Sequence, residues 1–282
     1  CFSNCPADIA VQHMNSKKNK NHGFTIVEIA IIAPIVILVI GAFVATIISM
    51  TGETLATSAS DSLSYSVHDA LDRIRQDVES SGALLATNNI SIESPQGYND
   101  DSTNFHNADI TNGTMLIINS YATDKNPLDT TTKKLYASGQ PIMINIIYFV
   151  KNGTLWRRVL TPSTLDYISS DNLVPWQQPS CAPYITNISN TSCKAKDTRL
   201  VDGISDKDGF TVTYYQDAAS STINTLASDP NSTDTDRSSA ITESDTIEVT
   251  INAIGTVAGR DINQSGSVKV SSPNDNTSLT PA

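Results

Sequence analysis

The longest stretch of apolar side chains lies near the start of the chain, between Phe24 and Met50. From Ile29 to Met50 there is no charged residue, and about 20 apolar residues in a row suffice for a helix to cross a bilayer. Three lysines precede this run: Lys17, Lys18 and Lys20. Because basic flanking residues favour the cytoplasmic side, the pattern predicts one membrane-spanning helix over 24–50, with the following residues outside the cytoplasm.

A second apolar pattern follows, with apolar residues three and four positions apart, which is the spacing of one helix face. Its members are Leu63, Val67, Ala70, Leu71, Ile74 and Val78. We therefore predict that the helix continues over 51–82 and stops at Ser81-Gly82. Oppositely charged residues four apart occupy the other face: Asp69 with Arg73, Arg73 with Asp77, and Arg75 with Glu79. This charged face is expected to be solvated.

Residues 83–282 have the pattern of a β-rich soluble domain. β-branched or alternating runs predict strands at Thr114–Tyr121, Ile142–Val150, Thr154–Leu160, Phe210–Tyr215 and Ile247–Ala253. Asn152-Gly153 joins the second and third of these as a tight hairpin turn. A one-sided antiparallel sheet is expected to cover the inner face of the helix. The predicted fold class is α+β, a long N-terminal hydrophobic helix packed on a C-terminal antiparallel β-sheet domain.

Two polar segments lack the large apolar residues that would hold them on a core. They are 217–244 and the tail after Ser271, both rich in Ser, Thr, Asp and Asn. We expect the first to be a mobile surface loop and the second to be flexible.

Charge and composition exclude several function classes. The chain of 282 residues has Lys+Arg 18 against Asp+Glu 29, a formal net charge of -11, so a broad basic surface for nucleic acid is not implied. The sequence has no nucleophile elbow, phosphate loop or paired metal motif, and it has only four histidines. We therefore expect neither an enzyme nor a cofactor.

Glu28 is a carboxylate near the start of the apolar run, where an unpaired charge costs roughly 2.5 to 3.5 kcal/mol on insertion scales. It therefore needs a partner. The nearest cation would be a new amino terminus, made by cutting between Gly23 and Phe24 and contributed by a neighbouring copy. A plain signal anchor or a secretory signal peptide is the alternative, although Ala42–Ala45 is not a compelling cleavage site.

These residues resemble the class III signal of type IV prepilins and type II secretion pseudopilins. The likeness combines Gly23-Phe24-Thr25-Ile26-Val27-Glu28 with a short Lys-rich leader and the apolar helix. It implies that a prepilin peptidase cuts after Gly23 and methylates Phe24, and that Glu28 pairs with the amino terminus of an adjacent subunit. Other implied partners are pilin or pseudopilin subunits, contacted through the N-terminal helix, and an inner-membrane assembly platform.

The resemblance also bears on the start of the protein and on its location. Met14 would give a leader of the length typical of type IV prepilins, so residues 1–13 are expected to lie upstream of the true start. Cys1 and Cys5 would then be absent from the mature chain, and their CxxxC spacing is not interpreted as a metal or redox site. The implied location is the inner membrane, followed by a fibre at the cell surface.

A second resemblance covers the rest of the chain and links it to the minor pilins of the PilW group and the pseudopilins of the PulJ group. It is carried by segments in a fixed order: Ala70–Asp77 with Ser81-Gly82, Ile147–Arg158, Leu200–Ile204, Phe210–Tyr215 and Val268–Val270. It implies a low-abundance subunit that primes or caps assembly. A major fibre-forming pilin and a membrane-anchored adhesion or binding module remain the alternatives.

The other candidate features have plain structural explanations beside functional ones. Cys181 and Cys193 lie in a Pro/Ser/Asn-rich loop of the exported part and are expected to form a disulfide, with free thiols as the alternative. Pro34 is expected to kink or locally unwind the membrane helix. Trp156, Arg157 and Arg158 are interpreted as a strand with ordinary exposed charge.

Metal binding is not expected. Asp202, Asp206 and Asp208 resemble part of a calcium loop, but the run lacks the alternating ligands and the distal Glu, so turn residues are the preferred interpretation. His68 and His106 are isolated in sequence from each other and from the cysteines.

Overall fold

The computed structural model of the protein describes residues 25–90, 105–109, 113–124, 133–136, 138–162, 173–185, 193–205, 208–216 and 222–272. The chain divides into two compact units, Cys1–Thr51 and Gly52–Ala282. Helix α1 runs from Ile26 to Glu79 and contributes residues to both. Its path continues through Pro34 as α-helix, so the local unwinding expected at this proline is not present.

The first unit exposes its whole helical surface. Every residue from 25 to 50 is exposed, and by length and composition this helix could cross a membrane. The long apolar helix expected from the apolar run is therefore present in the fold.

The second unit contains the end of α1, a short helix α2 and several β-strands. The strands are β1 (Ser81–Leu85), β2 (Ala108–Asp109), β3 (Gly113–Thr114), β4 (Leu116–Tyr121), β5 (Met143–Lys151), β6 (Thr154–Leu160), β7 (Ser180–Cys181), β8 (Ala195–Lys196), β9 (Thr198–Asp202), β10 (Phe210–Tyr215), β11 (Thr246–Val257) and β12 (Arg260–Ser271). Helix α2 is Asp234–Thr242, and 3-10 helices occur at Pro175–Gln177 and Thr225–Ser228. The α+β class is thus observed.

Within the described residues, two main antiparallel sheets are formed. One has the order β1-β4-β5-β6-β9, and the other has the order β10-β11-β12. The pairs β2-β3 (antiparallel) and β7-β8 (parallel) are separate. Ile204 bridges to Ala253 and links the end of β9 to β11.

The prediction of a one-sided sheet is wrong for the first of these sheets. Strand β5 is buried from Ile144 to Val150, so both of its faces are covered. One face joins α1 and the second sheet in the larger core, which includes Leu71, Ile74, Ile146 and Val249. The other face forms a smaller cluster with Phe105, Met115, Ile117, Ile147, Phe149 and Leu160. Side chains alternate between the faces of a strand, and here both sets are apolar.

Each of the two main sheets contains one tight hairpin that connects neighbouring strands. Lys151 pairs with Thr154 across Asn152 (φ 53°) and Gly153 (φ 71°), and two successive positive φ values are what a tight type I′ turn requires. The predicted hairpin is therefore confirmed. Strands β11 and β12 are joined in the same way through Ala258-Gly259, which the sequence pattern did not reveal.

Three segment predictions need correction. The segment 217–244 was expected to be a mobile loop, but it contains the 3-10 helix Thr225–Ser228 and α2, whose Ala240 and Ile241 are buried. Ser81-Gly82 does not simply stop the helix, because α1 ends at Glu79 and Ser81 already begins β1. The strand predicted at Thr114–Tyr121 is split into β3 and β4. The tail after Ser272 and residues 217–221 lie outside the described residues.

Candidate functional site

The start of α1 holds the carboxylate that the sequence singled out. Glu28 Oε2 accepts hydrogen bonds from the Thr25 backbone nitrogen at 2.9 Å and from Thr25 Oγ1 at 3.0 Å. In return, the Glu28 backbone nitrogen donates to Thr25 Oγ1 at 3.2 Å. This reciprocal arrangement is a capping box, which satisfies donors that a helix start otherwise leaves unpaired.

The capping box changes the expectation for Glu28. Sequence reasoning assigned its partner to the amino terminus of a neighbouring copy, and it missed Thr25, although T-x-x-E before an apolar run is a known helix-start signal. Within one chain the carboxylate is held by Thr25. Gly23 and Phe24, the predicted processing residues, lie outside the described residues.

The apolar surface after Glu28 is continuous around the helix. Ile37, Leu38 and Val39 are 70%, 73% and 63% exposed, and they lie on different sides because successive helix positions are 100° apart. A helix that is apolar all round requires lipid or other apolar helices as its surroundings.

The charged face of α1 is not uniformly solvated, because its Asp77 is buried. Asp77 Oδ2 accepts hydrogen bonds from Tyr148 Oη at 2.5 Å and from Arg157 Nε at 2.6 Å. Arg73 Nε lies 3.8 Å from Asp77 Oδ1, and Arg157 Nη1 donates to the Trp176 carbonyl at 2.7 Å. These contacts link α1 to β5 and β6, and they correct the prediction of a wholly solvated helix face.

Burial and charge set the protonation of this group. Burial raises the pKa of Tyr148 well above its ordinary value, and the neighbouring negative charge of Asp77 raises it further. Burial disfavours the charged form of Arg157, but the interactions with Asp77 and Tyr148 together outweigh it and raise the pKa of Arg157. A neutral tyrosine therefore shares an aspartate with a charged arginine.

The next residue of β6 makes a second buried ion pair on the opposite face. Arg158 Nη2 lies 2.7 Å from Asp197 Oδ2, with both side chains 0% exposed. Ser180 Oγ donates to Asp197 Oδ1 at 2.8 Å and accepts from the Val159 backbone nitrogen at 2.9 Å. The Arg158 guanidinium also lies 5.0 Å from the centre of the Phe149 ring.

The prediction of exposed charge at Arg157 and Arg158 is therefore wrong. Trp156 is half-buried and donates its Nε1 hydrogen to the Lys151 carbonyl at 3.2 Å. The signal that was missed is the setting of two arginines between Leu155 and Val159 in an apolar strand, since charges there need partners.

Cys181 and Cys193 are joined in a disulfide, as expected, with their Cα atoms 5.7 Å apart. They pack with Ala182 and Ile185 in a small buried cluster. The carbonyl of Cys181 accepts from the Asp197 backbone nitrogen at 2.8 Å, which places the disulfide beside the second ion pair.

The calcium candidates do not form a ligand set in the described residues. Asp202 forms an ion pair with Arg199 and accepts from Thr154 Oγ1 at 2.8 Å, and Asp206 lies outside the described part. His106 Nδ1 is 3.0 Å from Asp234 Oδ1. In the ranges that the structure describes, no group of three or more His, Cys, Asp or Glu side chains could hold a metal ion.

Comparison of the chain with protein-family models, with curated proteins and with solved structures finds no match.

Proposed function

We propose that the chain is a pilin-like structural subunit, a minor pilin or pseudopilin that primes or caps the assembly of a type IV pilus or a type II secretion pseudopilus. Its role is structural rather than enzymatic. The N-terminal helix holds the subunit in the inner membrane and then packs against the helices of other subunits.

The observation that carries this proposal is the surface of α1 from Ile26 to Met50. It is exposed and apolar on every side and has one carboxylate, Glu28, at its beginning. A plain membrane anchor needs only the apolar residues. A carboxylate at one end of such a helix suits a docking contact, because the hydrogen bonds from Thr25 leave its negative charge without a cation until another subunit supplies one.

The second unit also suits a subunit that is moved by its helix. Residues Val67 to Val78 of α1 are packed on the sheets, and Asp77 is hydrogen-bonded to Tyr148 and Arg157 beneath it. Force on the helix is therefore transmitted to the β-rich domain through buried contacts. Such an attachment suits extraction of a subunit from a bilayer.

Intact-mass and N-terminal analysis of the protein from membranes of its own cells tests the proposal. A mature chain that begins at methylated Phe24 is the expected result. Gly23→Val should block the cut and leave the leader attached. An unprocessed chain that starts at Met14 in the wild type would contradict the proposal and favour the anchor.

A further inference from the structure

A cleft of about 420 Å³ opens in the second unit beside the charged face of α1. Its helix side is formed by Asp69, Asp72, Arg73 and Gln76, and its other side by Arg157, Trp176, Thr198 and Leu200. Clefts of this size are typical of sites for small ligands and for single side chains of a partner.

The charges at this cleft are unequally matched. Arg73 and Arg157 both face the buried carboxylate of Asp77, at 3.8 Å and 2.6 Å. Asp69 and Asp72 are exposed, and neither forms an ion pair with any residue in the described part of the chain. Asp72 interacts with Arg75 only at longer range, and together with Asp77 the carboxylates around the cleft number three against the two guanidinium groups of Arg73 and Arg157, so the cleft favours a positively charged group.

Trp176 supplies the aromatic surface. Its side chain is 37% exposed, although its carbonyl is fixed by Arg157 Nη1 at 2.7 Å. The Arg73 guanidinium already lies 5.6 Å from the ring centre, which shows that this ring accepts a cation. Tryptophan beside charged groups is typical of the energetically important part of an interface.

The floor of the cleft has an unsatisfied donor. Arg157 is only 3% exposed, and its Nη2 nitrogen has no hydrogen-bond partner among the described residues. A buried donor without an acceptor is unfavourable by about 1 to 3 kcal/mol, so a ligand that brings an acceptor oxygen gains that free energy.

We propose that this cleft binds a segment of a different protein through a lysine or arginine side chain, which pairs with Asp69 and Asp72 over Trp176. A carbonyl oxygen of the same segment accepts from Arg157 Nη2. The occupant is a different protein because two copies of this chain, at a formal net charge of -11 each, repel one another. This inference goes beyond the proposed function and does not depend on it.

The test uses the full chain in detergent micelles, with the indole nitrogens labelled with ¹⁵N. There are two tryptophans, and Trp156→Phe assigns their signals. The probe is N-acetyl-arginine amide, which has a guanidinium and two carbonyl groups. We expect a saturable shift of the Trp176 signal, with Trp156 unchanged. Butylguanidinium, which has the cation but no carbonyl, should bind more weakly than the probe.

Matched variants test whether binding of the probe depends on the two carboxylates at the cleft or only on the net charge of the helix. Asp69→Asn with Asp72→Asn should weaken binding of the probe by about fivefold or more, since each exposed pair contributes up to about 1 kcal/mol. Glu53→Gln with Asp61→Asn removes the same charge from the same helix and should leave the affinity unchanged. Unshifted indole signals before probe addition show that each variant is folded.

Four outcomes would overturn the inference. If N-acetyl-norleucine amide bound with the same affinity as the arginine probe, the cleft would be an apolar site without preference for a cation. Preference for N-acetyl-glutamate amide would make it an anion site. A shift of Trp176 that depends on protein concentration, without any probe, would identify a second copy as the occupant. No saturable shift of Trp176 would mean that the cleft is empty.

Discussion

Asp77 in helix α1 and Arg157 in strand β6 form a buried ion pair, with Asp77 Oδ2 2.6 Å from Arg157 Nε and each side chain 3% exposed. Eighty residues separate them in sequence. Tyr148 donates to the same carboxylate oxygen from β5. The three groups attach the last turn of α1 to the sheet, and loss of Asp77 or Arg157 leaves a buried charge without its ion-pair partner.

Asp77→Asn is expected to lower the free energy of unfolding by about 3 to 5 kcal/mol, because it leaves Arg157 as an uncompensated buried charge. The measurement is chemical denaturation of the full chain in detergent micelles. Glu79→Gln is the matched control, since its partner Arg75 is 57% exposed and an exposed pair of this kind contributes less than about 1 kcal/mol.

The double change Asp77→Leu with Arg157→Leu tests whether the loss comes from the unpaired charge. Removing both partners should cost less than Asp77→Asn alone, because no isolated charge remains. Equal losses in the single and double variants would mean that packing, rather than charge pairing, explains the effect.

Local patterns in the sequence were sufficient for several elements. Strands β6 and β10 have the predicted bounds, and the turn at Asn152-Gly153 follows from the need for two positive φ values. The alternation in β11 correctly predicted its buried face, which includes Ile247 and Val249. These features depend on side chains within a few residues of each other, which a sequence pattern records directly.

Ion pairs between residues far apart in the sequence could not be predicted from such patterns. Arg157 and Arg158 looked like solvated charges because their partners, Asp77 and Asp197, are 80 and 39 residues away. Helix α2 was missed because it has few apolar residues, and these pack on another short helix, Thr225–Ser228, and on strand β1, which is distant in sequence. The pattern of apolar residues in the strands also does not indicate whether the strands form one sheet or two. That depends on the point after β9 at which the chain crosses from the first sheet to the second.

That crossing depends on Gly203, which has φ +73°. The Ile254 backbone nitrogen donates to the Gly203 carbonyl at 2.8 Å, so the two backbones lie close together. A Cβ at Gly203 would lie 2.0 Å from the carbonyl oxygen of Ile254. Gly203→Ala should therefore lower the free energy of unfolding by about 3 kcal/mol or more. Gly259→Ala shares the positive φ but meets nothing within 4 Å, so about 1 kcal/mol is expected. Similar losses for both in thermal unfolding would contradict this account.

The disulfide between Cys181 and Cys193 is expected to stabilise the second unit by about 3 kcal/mol, as loop closure of this length does in the chain-entropy model. Cys181→Ala with Cys193→Ala should lower the unfolding free energy by that amount. Addition of reductant should reproduce the loss in the wild type and leave the variant unchanged. Peptide mapping that finds Cys181 and Cys193 as free thiols in the purified protein would refute the prediction.

Buried tyrosines make the protein sensitive to alkaline pH. Burial raises the pKa of Tyr214 to about 12, although the Asn107 side chain opposes the shift. The unfolded state loses this proton near pH 10, so stability is complete below pH 10 and falls as pH rises towards 12. The loss is on the order of 2 kcal/mol for this group. Tyr214→Phe should flatten the decline in denaturation experiments between pH 10 and 12. An unchanged slope would show that Tyr214 does not contribute.

The capping box at Thr25 allows the two roles of Glu28 to be separated. Glu28→Gln keeps an oxygen that can accept from Thr25 but removes the charge, whereas Thr25→Ala keeps the charge and removes the hydroxyl that closes the box. If charge pairing with a neighbouring amino terminus drives assembly, Glu28→Gln and Glu28→Ala should be processed normally but poorly incorporated into fibres. Thr25→Ala should be incorporated far better than either.

Immunoblots of sheared fibres and of membranes measure incorporation and processing. Normal incorporation of Glu28→Gln would reject charge pairing and leave Glu28 with the helix-capping role alone.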